Sequence, residues 1–178
     1  MIPGGGKAKG SEFERWVGQR LSLWISNQQR NDLVTRTVLS GGQWTASGDK
    51  QRGSAGDLTS NHPDAHPFFE RFVVECKHWA WIDLVDFCHQ KGELYTALEK
   101  VQREAAKCKR LWMLVAKQNR RADMLFMPAV FDIPLTIDHH YHELFRGTVY
   151  MFRFDEFIKE VPYIQIMELT LPESMRSL

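Results

Sequence analysis

Nowhere in the 178 residues is there an apolar run long enough to cross a bilayer, which takes about 20 residues. The opening Met1-Ile2-Pro3-Gly4-Gly5-Gly6-Lys7 lacks the apolar segment of a secretory signal, so the expected location is cytoplasmic. Cysteine is scarce. Cys76, Cys88 and Cys108 are odd in number and contain no CxxC pair, which argues against a disulfide framework or a zinc knuckle and for reduced thiols. Zinc-helix spacing is missing too: Asp138-His139-His140-Tyr141-His142-Glu143 sets its histidines side by side, without an i, i+4 pair. No segment repeats, and the formal net charge is only +1.

That small net charge hides an uneven distribution. Residues 1–30 carry five Lys/Arg against two Asp/Glu, and residues 31–89 carry five against eight. Residues 90–121 then carry nine against three, and residues 122–178 four against nine. Two basic segments therefore flank an acidic one, an arrangement that suits an anionic polymer held around a metal-binding pocket. The length allows one domain with a full core. Residues 1–9, rich in Gly and Lys, read as a flexible basic arm, and 10–178 as a single domain.

Periodicity predicts a helix from Ser11 to about Ser26, with Phe13, Trp16, Val17, Leu21 and Trp24 at helical spacing and Ser11 and Glu14 in capping-box relation. Leu33 to Leu39 reads as a strand and 41–56 as a long polar loop. Strand character resumes at Asp57-Leu58, and 59–67 reads as a hairpin connection leading into a strand from Phe68 to Lys77. In that strand Phe72, Val74 and Cys76 alternate with Val73, Glu75 and Lys77. A helix is predicted over about 90–109. It has an apolar stripe of Leu94, Leu98, Val101, Ala105 and Cys108, and a basic one of Lys100, Arg103, Lys107 and Arg110 that reads as a solvated face. Leu111 to Ala116 is a doubly covered strand. Further on, 120–131 reads as helical, 148–152 as a strand and 155–160 as a short helix. The apolar tail 161–171 reads as an extended strand with Tyr163, Met167, Leu169 and Leu171 on one side. That side needs cover, which its own domain or a second subunit could supply; a homodimer is the expected state.

The chemistry is concentrated in Asp57 and in Glu75-Cys76-Lys77. Alternation puts Glu75 and Lys77 on one face of a strand, and Asp57 can face them if its strand is the hairpin partner. Two converging carboxylates repel each other and are costly to bury without a cation. A hard divalent ion such as Mg²⁺ relieves that repulsion while keeping waters for chemistry. A lysine beside it can orient the attacking water and neutralise phosphate charge. Phosphodiester hydrolysis needs that combination.

Asp57 with Glu75-x-Lys77 resembles the signature of the PD-(D/E)xK nuclease superfamily, with Gly56 where the motif has proline. Lys9-Gly10-Ser11-Glu12-Phe13-Glu14-Arg15 resembles the K-G-S-x-x-E-R opening of archaeal-type Holliday-junction resolvases. The resemblance covers roughly residues 7 to 117. It implies an α/β fold with a restriction-endonuclease-like α-β-β-β-α-β core, its central mixed sheet flanked by helices. It also implies an endodeoxyribonuclease using Mg²⁺, with Mn²⁺ able to substitute, that leaves 5′-phosphate and 3′-hydroxyl ends on branched DNA such as a four-way junction. Asp57, Glu75 and the Cys76 backbone carbonyl would hold metal, joined by Glu14, and Lys77 would serve the attacking water. Lys7, Lys9, Arg15, Lys117 and Arg120 are the candidate DNA contacts. A nuclease of linear duplex DNA, restriction-like or phage-processing, and a non-catalytic DNA-binding module are the alternatives.

Overall fold

The computed structural model of the chain describes residues 5–37, 55–129, 139–144 and 147–169, with side chains described for all of these except 5–7 and 139–148. Its first helix, α1 (Gly5–Ile25), buries Phe13, Val17, Leu21 and Trp24, which recur every three or four residues. The helix reaches back to Gly5. Lys7 and Lys9 therefore lie on its first turns, and Ser11 sits inside it, which corrects the capping-box reading.

Two short strands, β1 (Val34–Arg36) and β2 (Leu58–Ser60), pair antiparallel in a sheet of their own. After a 3-10 turn (Pro63–Ala65) comes α2 (His66–Arg71), then β3 (Phe72–Trp79). The chain between Asp57 and Glu75 is thus no hairpin, and Phe68 and Phe69 are helical rather than part of the strand. Pro67, in the first turn of α2, has no amide to leave unpaired there and fits a helix start.

Beyond β3 lie the short α3 (Leu84–Cys88) and the long α4 (Gly92–Cys108), which ends on a left-handed Lys109. Next come β4 (Leu111–Gln118), β5 (Met124–Pro128), β6 (His139–Leu144) and β7 (Gly147–Arg153). The five-stranded sheet runs β3-β4-β5-β7-β6, with β3 and β4 parallel and every other pair antiparallel. The expected α-β-β-β-α-β core is present as α1-β1-β2-β3-α4-β4, around a mixed sheet flanked by helices. The helix expected over 120–131 is replaced by β5: Asn119 to Ala122 make a turn, with Arg120 at φ +61°, and return the chain beside β4. The 41–56 loop lies mostly outside the described residues, as do Asp138 and Leu171.

Apolar side chains fill both sides of the sheet. Phe72, Val74 and Cys76 meet α1, α2, α5 (Phe154–Glu160) and α6 (Tyr163–Glu168) on one side. Val73, Trp112, Leu114 and Ala116 meet Leu94, Leu98, Val101 and Ala105 of α4 on the other. The tail from Val161 is a correction. Pro162 opens α6 in place of a strand, and Ile166 is wholly buried. Tyr163 lies edge-on to Trp24, with ring centroids 5.3 Å apart, and Met167 and Leu169 pack on the same core. Arg71 donates to the carbonyls of Met167 and Leu169, fixing the end of the helix. Of the four residues of that side, Tyr163, Met167 and Leu169 are partly buried against their own domain, and Leu171 lies outside the described residues.

Candidate active site

Glu75 and Lys77 continue the row begun by Val73, so they stand on the face of β3 that looks toward α4. Glu75 is completely buried. β3 is an edge strand of the sheet, and its outer backbone groups need partners. The segment at Asp57 supplies them. Its amide donates to the Val74 carbonyl at 2.8 Å, and its carboxylate Oδ2 accepts from the Cys76 amide at 2.9 Å. The Asp57 carbonyl in turn accepts from the Thr37 amide at 2.9 Å, which ties the segment to the end of β1. A carboxylate standing in for a neighbouring strand's carbonyl is held against β3 by a charge-assisted hydrogen bond.

Gly56 makes this approach possible. Its φ is +84°, and a Cβ added there would lie 2.5 Å from the Val74 carbonyl oxygen. Proline, which the superfamily motif has at this position, is locked near φ −65° and could not hold this backbone. Glycine here is a requirement of the close contact with β3.

Three oxygens surround one cationic group. The Lys77 ammonium lies 2.5 Å from Glu75 Oε1, 3.6 Å from Asp57 Oδ2 and 3.4 Å from the Cys76 carbonyl, to which it donates. Glu75 Oε2 is buried and finds no hydrogen-bond partner among the described residues. A buried carboxylate oxygen without a partner is costly. Two carboxylates and a carbonyl gathered about a single positive position form a hard-oxygen donor set, and these residues fit Mg²⁺ or Mn²⁺. Glu14 pairs with Arg36 on β1 and acts on Asp57 through its charge, and among the described residues no three His, Cys, Asp or Glu side chains gather closely enough to hold an ion.

Burial pushes the Asp57 carboxyl up to about 6, and the neighbouring Glu75 charge adds to this. Lys77 and the Cys76 amide oppose the shift, while Glu14 contributes to it. A carboxyl whose folded pKa lies above its unfolded value stabilises the fold fully only below that unfolded value. The contribution is lost as the pH rises through about 6. At neutral pH the two carboxylates are therefore in conflict. Burial lowers the pKa of the Lys77 ammonium, but the Glu75 and Asp57 charges outweigh it and hold the group above the ordinary lysine range. Lys77 is thus a proton donor in hydrogen bonds and has no free pair with which to take a proton.

Lys100, read from sequence as part of a solvated face, reaches the site from α4. Its Nζ donates to Glu75 Oε1 at 2.7 Å. The strand alternation was itself the available signal, since Glu75 shares its face with Val73, the face that α4 covers. The other basic candidates divide. Lys9, Arg15 and Arg120 are exposed, and the Lys7 side chain lies outside the described residues. Lys117 is engaged on the opposite side of the sheet, 3.0 Å from Asp123 and above the Phe13 and Trp16 rings. His62 Nδ1 accepts from the Asp64 amide and caps the 3-10 turn.

A mixed sheet with an Asp at its edge and a Glu-x-Lys pair on the strand beside it defines a nuclease of the PD-(D/E)xK class. Residues 5–176 match the model of a family described as "Phage putative PDDEXK endonuclease", and the chain belongs to that family. No curated protein and no solved structure matches it. Among the described residues no helix is long and apolar enough to cross a membrane.

Proposed function

We propose that the protein is a Mg²⁺-dependent endodeoxyribonuclease that cuts branched DNA such as a four-way junction. The observation that carries the metal-dependent reading is the convergence of Asp57, Glu75 and the Cys76 carbonyl on one cationic position, with Glu75 Oε2 left over. Asp57 and Glu75 would hold the ion, the Cys76 carbonyl would complete the protein's oxygen set, and Mn²⁺ could substitute. Bound there, the ion supplies charge neutralisation at the phosphate and an acidified water. Lys77, an ammonium, donates a hydrogen bond to the attacking water or to a non-bridging phosphate oxygen and so orients the two for in-line attack. Glu14 acts through its charge on Asp57 and its grip on Arg36. Lys9, Arg15 and Arg120, all exposed, are the proposed contacts to the DNA backbone.

The branched-substrate reading draws on the resolvase-like opening that carries Glu14. The family's description as a phage endonuclease favours a second reading, cleavage of linear duplex during phage DNA processing. A four-way junction, a flap, a linear duplex and a single strand of matched sequence, incubated with Mg²⁺, separate the two. Preferential cutting of the junction supports the first, and equal or better cutting of the linear duplex establishes the second. Failure to cut any of them with Mg²⁺ or Mn²⁺ would refute the catalytic reading.

The raised Asp57 pKa adds a pH prediction. Protons and a divalent ion compete for the same carboxylate. The rise in Tm caused by millimolar Ca²⁺ or Mg²⁺ should therefore be clear at about pH 8 and nearly vanish at about pH 5. In Asp57→Asn it should be small at both pH values. Differential scanning fluorimetry reads this, and a metal-induced shift of equal size at both pH values in the wild type would remove Asp57 from the ion's ligands.

A further inference from the structure

Glu75 Oε1 touches two ammonium groups, Lys77 from its own strand at 2.5 Å and Lys100 from α4 at 2.7 Å. One lysine is enough to balance one carboxylate. Here Lys77 is shared between Glu75 and Asp57, so without an ion the two lysines together balance the two carboxylates, and Lys100 is the one that reaches Glu75 alone of that pair. The two also differ in access: the Lys77 side chain is 30% exposed and that of Lys100 45% exposed. Glu104, one turn along α4 and 3.7 Å from the Lys100 ammonium, provides it with a second resting partner.

Charge counting gives Lys100 a purpose. Asp57 and Glu75 carry two negative charges, which a divalent ion would balance alone. With an ion in place neither lysine is needed to balance that pair, and Lys100 keeps Glu104, 3.7 Å away, as its partner, so the site as a whole carries one positive charge in excess. A phosphodiester brings one negative charge there, and its pentacoordinate transition state brings two.

We propose that Lys100 is a second catalytic lysine, one that leaves Glu75 to contact a non-bridging oxygen of the scissile phosphate, so that the DNA is held by one ammonium from β3 and one from α4. This deepens the proposed nuclease function and rests on it. The side chain is long, flexible and tied to Glu104 only at the limit of ion-pair distance, so it can change partners without moving the helix. The contact is to phosphate and carries no base preference of its own.

Lys100→Met, which keeps the length of the stem and removes the charge, and Lys100→Arg, which keeps the charge, form the test. They are measured on the full chain with a labelled DNA that the wild type cleaves. In Ca²⁺, Lys100→Met should lower the slope of log affinity against log salt by about one phosphate contact, a change of roughly 0.9. At saturating enzyme and Mg²⁺ its single-turnover rate should fall about 100-fold. Its affinity for Mn²⁺, titrated by calorimetry without DNA, should be unchanged or higher, because a competing cation has left Glu75. Lys100→Arg should retain the salt slope, and it carries the test if the methionine variant does not fold: a lower slope in that variant overturns the proposal. Wild-type slope and rate in Lys100→Met would show Lys100 to be only a surface partner of Glu75. Weaker Mn²⁺ binding with an unchanged slope would show that it merely positions that carboxylate. Glu75→Gln run alongside keeps the readings apart. If the wild type cuts and Glu75→Gln does not, an active Lys100→Met removes Lys100 alone. If the wild type cuts nothing, the function itself is wrong.

Discussion

Replacing Glu75 with Gln should abolish cleavage, lowering the rate by about 1000-fold or more, while the protein remains folded. The amide fills the same buried space and still accepts from Lys77 and Lys100, both within 2.7 Å of Oε1. What disappears is the charge. Asp57→Asn should have the same effect on activity, since its amide oxygen can still accept from the Cys76 amide. In the absence of divalent ions both variants should bind DNA as tightly as the wild type or more tightly, because each has lost a charge that repels phosphate. Gel shifts in EDTA and single-turnover cleavage in Mg²⁺ measure the two properties separately. A further consequence is internal to the site. With the Glu75 charge gone, one of the two main causes of the raised Asp57 pKa is gone, so that carboxyl should titrate closer to its ordinary range. A Glu75→Gln enzyme that still cuts at the wild-type rate would place the catalytic centre elsewhere.

Among substitutions of the described glycines, Gly56→Ala should be the one whose added methyl group does most damage. It puts a Cβ 2.5 Å from the Val74 carbonyl oxygen and 3.0 Å from Val73 Cγ1, on a backbone at φ +84°. Backbone atoms cannot swing aside as a flexible side chain can, so the 55–57 segment must lift off β3. Left-handed strain and the displaced segment together should cost about 2 to 4 kcal/mol of stability. The loss of activity should exceed what unfolding explains. The Asp57 amide and carboxylate both hold β3, and displacement of the carboxylate by about 1 Å is worth roughly 100-fold in rate. Urea titration gives the stability, and cleavage measured at a temperature where circular dichroism shows the variant fully folded gives the rate. Wild-type activity under those conditions would mean that Asp57 keeps its place without the close contact. A glycine chosen only for loop flexibility would give that result.

The sequence by itself determined which residues share a face. The alternation of β3 separated Phe72, Val74 and Cys76 from Val73, Glu75 and Lys77, and the helical spacing of Phe13, Val17, Leu21 and Trp24 set the buried side of α1. These are local properties, fixed by the two-residue period of a strand and the 3.6-residue period of a helix. The nuclease class was legible from the motif itself, since an Asp followed by Glu-x-Lys on a strand supplies the carboxylates and the lysine that the chemistry needs. The sequence also misled where local preference and tertiary context diverge. Within the stretch expected to be extended, Tyr163–Glu168 is helical because Pro162 starts a helix and the core beside Trp24 accepts Tyr163 and Ile166. Residues 124–128 are a strand because β4 and β7 offer partners on both sides. Only the tertiary structure decided what crosses the space between elements. It placed Asp57 against the edge of β3 without a hairpin, gave Gly56 its steric reason, directed Glu14 to Arg36 and brought Lys100 from α4 to Glu75. Contacts between residues 19 and 25 positions apart leave no period in a sequence, because they depend on how two faces meet and on nothing in the spacing along either one.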